Sequence, residues 1–134
     1  MTVRTHRLPA ASALLAAGLA TGAAGGCSGA PAPGEAYRLV PGGDAQRGRL
    51  LLAHYQCGSC HAVPGVPGRS TQVGPTLAAF GGRSYIAGRV PNEAAALQRW
   101  LQSPQSLVPG TAMPDLGVSA TDARDMAAYL MALR

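Results

Sequence analysis

Lysine is absent from this sequence, so its eleven permanently basic side chains are all arginine. The arginines are scattered along the chain and form no basic cluster with interleaved aromatic residues, which is the pattern that indicates nucleic-acid binding. The formal net charge is a modest +5 at pH 7. We therefore expect no nucleic-acid partner.

Large aromatic side chains are also few, since the 134 residues include one Trp, one Phe and four Tyr. The length suits one domain. A small domain with so few large side chains has little apolar core to stabilise it. The composition therefore favours a domain that completes its core with some additional apolar group.

Cysteine is the third scarce residue, and two of the three cysteines lie in the segment Cys57-Gly58-Ser59-Cys60-His61. A C-x-x-C-H segment is the attachment signal for c-type haem. Two thiols at this spacing form thioethers with the haem vinyl groups, and the histidine that follows binds the iron through its neutral imidazole. We predict one covalently bound haem c, which would also supply the missing core.

Two other interpretations of the cysteine pair stay open at this point. A C-x-x-C pair also occurs in redox dithiols and as half of a zinc site. The thioredoxin-like interpretation requires a βαβ pattern around the motif. The zinc interpretation requires a second pair of ligands, and the remaining cysteine, Cys27, lies far upstream in a polar stretch rich in Gly and Pro.

Residues 1–26 have the pattern of an export signal. Arg4, His6 and Arg7 precede an apolar run rich in Ala and Leu, and small residues follow it. The run is short and weakly hydrophobic for a spanning helix, which needs about 20 strongly apolar residues. We expect an exported protein in the periplasm or on the outer face of the cytoplasmic membrane, with an uncleaved anchor as the alternative.

Cys27 ends this run in a segment that resembles a bacterial lipobox. Acylation of Cys27 would tether the protein to a membrane. Most lipoboxes carry Leu at the position of Ala24, so ordinary cleavage near Ala24 is the alternative. Residues 27–42, rich in Gly, Pro and Ala, are predicted to be a flexible linker with an end-to-end distance of about 20–25 Å.

Three helices are predicted in the remainder of the chain. Asp44, Asn92 and Ser119 are the expected N-caps. Each helix then has apolar residues at helical spacing: Gly48, Leu51, Leu52 and Tyr55 in the first, Leu97, Trp100 and Leu101 in the second, and Met126, Tyr129, Leu130 and Leu133 in the third. Residues 62–74 and 105–115 are predicted to be loops. Gly48 is either a tolerated helical glycine or a point where another helix crosses closely.

A haem iron bound by His61 has a second axial position. Among the candidates His54, Met113, Met126 and Met131, only Met113 lies in a predicted loop downstream of the attachment segment. Ligation by His and Met raises the reduction potential, which suits electron transfer, and it also fills the position where oxygen would bind. The alternative is that Met113 simply packs on the core.

Pro75 is a candidate acceptor for the second ring N–H of His61, because an iron-bound imidazole needs such a partner. A plain turn proline is the alternative.

These segments together resemble the class I cytochrome c family, and the resemblance covers residues 43–134. It is based on Cys57–His61, Val73–Leu77, Met113-Pro114 and the helix with Tyr129-Leu130. Further segments resemble the cytochrome c domains associated with subunit II of bacterial cytochrome oxidase: Arg83–Gly88, Pro91-Asn92, Arg99–Leu101 and Pro109–Pro114.

The resemblance implies an all-α fold with crossed N- and C-terminal helices around one covalently bound haem, with Gly48 and Tyr129 at the helix crossing. It implies that the Pro75 carbonyl accepts from His61, and that Arg83, Tyr85 and Trp100 contact the haem propionates.

The function implied is one-electron transfer by a haem with His61 and Met113 as axial ligands. The expected partners are respiratory-chain proteins, namely a membrane cytochrome oxidase and its electron donor. The sequence has no copper-binding cluster of subunit II, which indicates a free-standing cytochrome domain. A haem subunit docked in a larger oxidase or dehydrogenase is the alternative, and a haem enzyme or gas sensor is a further one.

Overall fold

Four α-helices form most of the regular structure in the computed structural model, which describes residues 1–2, 38–68 and 73–134. They are α1 (Ala45–His54), α2 (Ala94–Gln102), α3 (Pro104–Leu107) and α4 (Ala120–Ala132). Short 3₁₀ turns occur at Cys57–Ser59 and Phe80–Gly82. The expected all-α class I cytochrome c fold is confirmed, with α1 and α4, the first and last helices, packed on each other.

Residues 3–26 of the predicted export signal and residues 27–37 of the predicted linker, Cys27 among them, lie outside the described residues. Within the described part of the chain, no helix has the length and apolar character needed to cross a membrane.

The predicted caps were right at two of three helices. The Asp44 carboxylate accepts the backbone N–H groups of Gln46 and Arg47, and the Ser119 hydroxyl accepts that of Asp122. The third prediction was wrong, because Glu93 occupies the N-cap position of α2.

Asn92 is instead buried, and its Nδ2 donates to the carbonyls of Phe80 at 2.9 Å and Arg83 at 3.1 Å. It therefore joins the Phe80–Gly82 turn to the start of α2.

Two local elements were not predicted. Pro104 begins α3, which extends into the predicted 105–115 loop, because proline suits the first position of a helix. Tyr85–Ile86 (β1) pairs antiparallel with Val90–Pro91 (β2) in a small hairpin. The side chain of Ile86 is buried there.

The core lies where α1 and α2 pack on α4. Met126 and Leu130 of α4 are 0% and 2% exposed, and Leu52 of α1 and Leu97 of α2 are each 1% exposed. The apolar stripes predicted for the three helices therefore meet in one place. Met131 also belongs to this core.

The two helices α1 and α4 cross in backbone contact at Gly48. A Cβ atom at Gly48 would lie 2.5 Å from the carbonyl carbon of Asp125 and 3.0 Å from the backbone nitrogen of Met126. This confirms the close-crossing interpretation of Gly48. Tyr129, one turn further along α4, donates its hydroxyl to the carbonyl of Pro64 at 2.5 Å.

A polar network closes the same crossing. Asp125 is 4% exposed, and it accepts the backbone N–H of Asp44 at 2.9 Å and the guanidinium of Arg47. Asp122 accepts Arg47 Nη2 at 2.5 Å and the Tyr55 hydroxyl at 2.9 Å.

The pKa of Asp125 is lowered, mainly by the Asp44 N–H and then by Arg47. The pKa of Asp122 is lowered by the hydroxyl groups of Tyr55 and Ser119 and by Arg47.

The network predicts a loss of stability in acid. A carboxyl whose folded-state pKa is lowered stabilises the fold above its unfolded pKa of about 3.9, and this contribution disappears as the pH falls through the folded-state value. We expect the unfolding free energy to decline as the pH drops below about 5, and the decline to be shallower in Asp125→Asn. Urea unfolding at a series of pH values measures it.

The control for this experiment is Asp115→Asn, which removes a negative charge from an exposed loop. An Asp125→Asn variant with the same acid slope as the parent protein would contradict the expected contribution of the network.

Candidate haem site

A cavity of about 520 Å³ opens beside the Cys57–His61 segment. Its volume lies within the usual range of about 300–1,000 Å³ for cofactor pockets. Leu97 and Trp100 of α2 and Leu130 of α4 contribute apolar side chains to its wall. No carboxylate lines this cavity in the described part of the chain.

The two cysteines reach the cavity because α1 ends shortly before them. Gln56 adopts a left-handed conformation with φ of +55° and turns the chain into the Cys57–Ser59 turn. Cys57 and Cys60 are both half-buried in the cavity wall. The turn also needs glycine, since a Cβ atom on Gly58 would lie 3.0 Å from Cα of Gly68 and closer still to the carbonyl of Pro67.

The environment of Cys57 does not suit a redox dithiol. Burial raises the pKa of the Cys57 thiol to about 11, whereas reactive C-x-x-C thiols have a lowered pKa. The hairpin β1–β2 is the only sheet among the described residues, so these residues show no βαβ pattern. The zinc interpretation of the cysteine pair finds no support in the described residues either, because among them no group of three or more His, Cys, Asp or Glu side chains is placed to hold a metal ion.

His61 lines the cavity with one ring nitrogen already engaged. Its Nδ1 lies 2.7 Å from the carbonyl oxygen of Pro75. A carbonyl can only accept, so we assign the proton to Nδ1, which leaves the lone pair on Nε2 available for a metal. The contact expected between His61 and Pro75 is therefore present.

Met113 lines the same cavity from the loop between α3 and α4. It is half-buried, and its N–H lies 3.4 Å from the Thr111 hydroxyl. The loop is held further by the Gln105 side chain, whose Nε2 donates to the Thr111 carbonyl at 2.5 Å.

The other candidates for the second axial ligand lie elsewhere. Met126 and Met131 lie in the helical core, while His54 is exposed at the edge of the cavity.

The three residues predicted to contact propionates all line the cavity, in different environments. Trp100 is 7% exposed and forms part of the apolar wall, whereas Tyr85 is 56% exposed. The Arg83 guanidinium donates to the carbonyls of Thr76 and Ala78 and lies over the Phe80 ring. Their propionate contacts stay predictions.

Two residues of the cavity wall were not among the predicted site residues. Val73 and Leu116 are 69% and 42% exposed, yet both line the cavity. Tyr85, which is also exposed, lines the cavity as well. Only the tertiary arrangement brings these three residues to one cavity, because they lie far apart in the chain.

The chemistry of this cavity fits a c-type haem. It offers an apolar wall, two thiols, an imidazole with a free Nε2 lone pair, and a thioether. Thioether and imidazole side chains are the usual axial ligands of haem in electron-transfer proteins. The fold and the site thus define a haem-binding, electron-carrying class of protein.

The comparison with known families agrees with this class. Residues 45–134 match the family model for cytochrome c, and the chain therefore belongs to the cytochrome c family. The cytochrome c domain is an electron carrier that acts through haem.

Among curated proteins, the chain is similar to bacterial proteins named cytochrome c oxidase subunit 2. The protein from Alkalihalophilus pseudofirmus is 37% identical over 91 residues, which cover 67% of this chain and 26% of the relative. The protein from Bacillus subtilis is 35% identical over 85 residues, covering 59% of this chain and 24% of the relative. The chain thus matches about a quarter of the length of these relatives.

Proposed function

We propose that this chain is a single-haem electron carrier in which Cys57 and Cys60 hold haem c covalently and His61 and Met113 are the axial ligands. The observation that carries the proposal is the orientation of His61, whose Nδ1 is held by the Pro75 carbonyl at 2.7 Å. This bond leaves Nε2 as the metal-binding nitrogen in a cavity that Met113 also lines. The haem, when bound, supplies the exchange between ferric and ferrous iron.

The residues of the chain would tune and protect this exchange. The Pro75 carbonyl fixes the imidazole and makes it a stronger donor. The Met113 thioether favours ferrous iron and so raises the reduction potential. The apolar wall formed by Leu97, Trp100 and Leu130 excludes water. If His61 and Met113 both hold the iron, oxygen would have no place to bind, which favours a carrier over a haem enzyme or gas sensor.

We further propose that the redox partners are a cytochrome oxidase and its electron donor in a respiratory chain. The similarity to relatives named cytochrome c oxidase subunit 2 supports the oxidase as partner. Export, and a membrane tether through acylated Cys27, are part of the same proposal. They are supported by the sequence pattern of residues 1–27.

A haem subunit permanently docked in a larger oxidase or dehydrogenase is the second candidate. The exposed side chains of Val73, Tyr85 and Leu116 favour it, because all three line the same cavity and exposed apolar surface often marks an interface. In size-exclusion chromatography a permanent subunit should elute together with its oxidase or dehydrogenase, whereas a mobile carrier should elute alone.

The attachment proposal is tested with protein produced alongside a c-type haem maturation system. We expect mass spectrometry to show one covalent haem, and the absorption spectrum to be that of low-spin iron that does not readily bind carbon monoxide when reduced. Cys57→Ser together with Cys60→Ser should abolish covalent attachment. Cys27→Ser is the control and should keep the haem. A colourless parent protein would contradict the proposal.

A further inference from the structure

We propose that Gly74 is a positioning residue for His61, and that its missing side chain sets the orientation of the imidazole. The inference rests on the proposed function, since it concerns the ligand assigned there. A Cβ atom at Gly74 would lie 2.5 Å from Nδ1 and 2.9 Å from Nε2 of His61, and closer still to Cε1. All three atoms belong to the ring, so the glycine lies directly against the imidazole.

The requirement at Gly74 is one of space and not of backbone conformation. Gly65, Gly88 and Gly110 have positive φ angles of +66°, +70° and +81°, which disfavour other residues, but Gly74 is not among the glycines with positive φ. The penalty that a positive φ imposes on alanine therefore does not apply at Gly74. The three heavy atoms nearest to its methyl group would all belong to the ring of His61.

The segment that carries Gly74 cannot easily move away from the ring. The Gly74 N–H donates to the Cys60 carbonyl at 3.0 Å, and the Leu77 N–H donates to the Ala62 carbonyl at 2.8 Å. The Thr76 hydroxyl also donates to the Ala62 carbonyl, at 3.2 Å. These bonds fix residues 74–77 to residues 60–62 on both sides of His61.

The Arg83 guanidinium holds the same segment from its other side. It donates to the carbonyls of Thr76 and Ala78. A retreat of the segment would break several hydrogen bonds, each with a net value of about 1 kcal/mol. Rotation of the imidazole is the less costly response to a methyl group at Gly74.

Rotation of the ring would weaken its bond to Pro75. The contact between Nδ1 and the carbonyl is 2.7 Å long and is the polar partner that orients this ring. An imidazole without this partner is a weaker donor. A strong donor stabilises ferric iron more than ferrous iron, so a weaker donor destabilises the ferric form more than the ferrous form, and the reduction potential should rise.

The test compares three glycine-to-alanine variants of the haem-loaded protein. Gly74→Ala should shift the equilibrium between ferric and ferrous forms about tenfold toward the ferrous form, which is about 59 mV upward for one electron. Gly82→Ala is the matched control, because nothing lies within 4 Å of its Cβ position. It should leave the potential and the stability unchanged.

Gly81→Ala separates positioning from general damage to the fold. A Cβ atom at Gly81 would lie 2.8 Å from the carbonyl carbon of Met131 and 3.0 Å from the carbonyl oxygen of Leu133, and none of its three nearest atoms belongs to His61. This variant should unfold at a lower urea concentration than the parent while keeping its potential. An equal potential shift in Gly81→Ala and Gly74→Ala would overturn the inference, as would an unchanged potential in Gly74→Ala.

Thr76→Val keeps the inference testable if Gly74→Ala accumulates no holoprotein. It removes the hydroxyl that bonds to the Ala62 carbonyl and loosens the segment opposite the ring. We expect a smaller upward shift of the potential, about twofold to threefold in the equilibrium constant. A downward shift, or none, would count against the inference. Absence of haem from the parent protein would instead refute the proposed function.

Discussion

Replacement of Met113 by alanine is expected to lower the reduction potential by on the order of 0.1–0.3 V, within the span of about 0.8 V over which axial ligands set haem potentials. The thioether is a weak donor that favours ferrous iron, so its loss favours the ferric form. The sixth position would also open, and the reduced variant should bind carbon monoxide. Potentiometric titration and carbon monoxide difference spectra measure both effects.

The control for this experiment is Met126→Leu in α4. Met126 is 0% exposed in the helical core and does not line the cavity. A volume-conserving exchange there should cost less than about 1.5 kcal/mol of stability and leave the spectrum unchanged. A Met113→Ala variant with the potential and spectrum of the parent would show that the sixth ligand is another group.

The size of the expected effect depends on how firmly the loop carries Met113. Its backbone is anchored by the Gln105 side chain, whose Oε1 accepts the Gly110 N–H and whose Nε2 donates to the Thr111 carbonyl. These bonds hold the loop on the short helix α3. A thioether on such a loop is presented to the cavity by the protein scaffold, so removing it should leave the surrounding wall in place.

The parts of the fold that could be predicted depend on signals local in sequence. Asp44 and Ser119 each cap a helix through an N–H two or three residues away, and the attachment segment is contiguous. The crossing at Gly48 was one of two interpretations, and helical spacing could not choose between them. The choice depends on where Asp125 lies, 77 residues further along.

The parts that could not be predicted depend on distant segments that meet. Asn92 has the local sequence of a cap, but the carbonyls of Phe80 and Arg83 bind its side chain amide instead. The contact between Gly74 and the His61 ring has no sequence signature either, because a glycine in a loop usually indicates only a turn. For the site, residue types were therefore easier to predict than the packing that orients them.

Gly48→Ala is the second variant with a large expected effect. In an isolated helix this change would stabilise by about 1 kcal/mol. Here the new methyl group would meet the backbone of Asp125 and Met126, which cannot rotate away. We expect a net destabilisation of about 1–3 kcal/mol, equivalent to a fall in Tm of roughly 4–8 °C per kcal/mol for a domain of this size. Thermal and urea unfolding of the holoprotein measure the change.

Separation of α1 from α4 would also disturb the polar network across the crossing. Asp125 binds the Asp44 N–H and Arg47 on α1, so a shift of either helix stretches bonds to a buried carboxylate. The effects of Gly48→Ala and Asp125→Asn should therefore be non-additive, because they act on one contact. Leu50→Ala, at a 59% exposed position of α1, is the control and should change stability by less than about 0.5 kcal/mol. A Gly48→Ala protein more stable than the parent would mean that helix propensity, and not backbone contact with α4, governs this position.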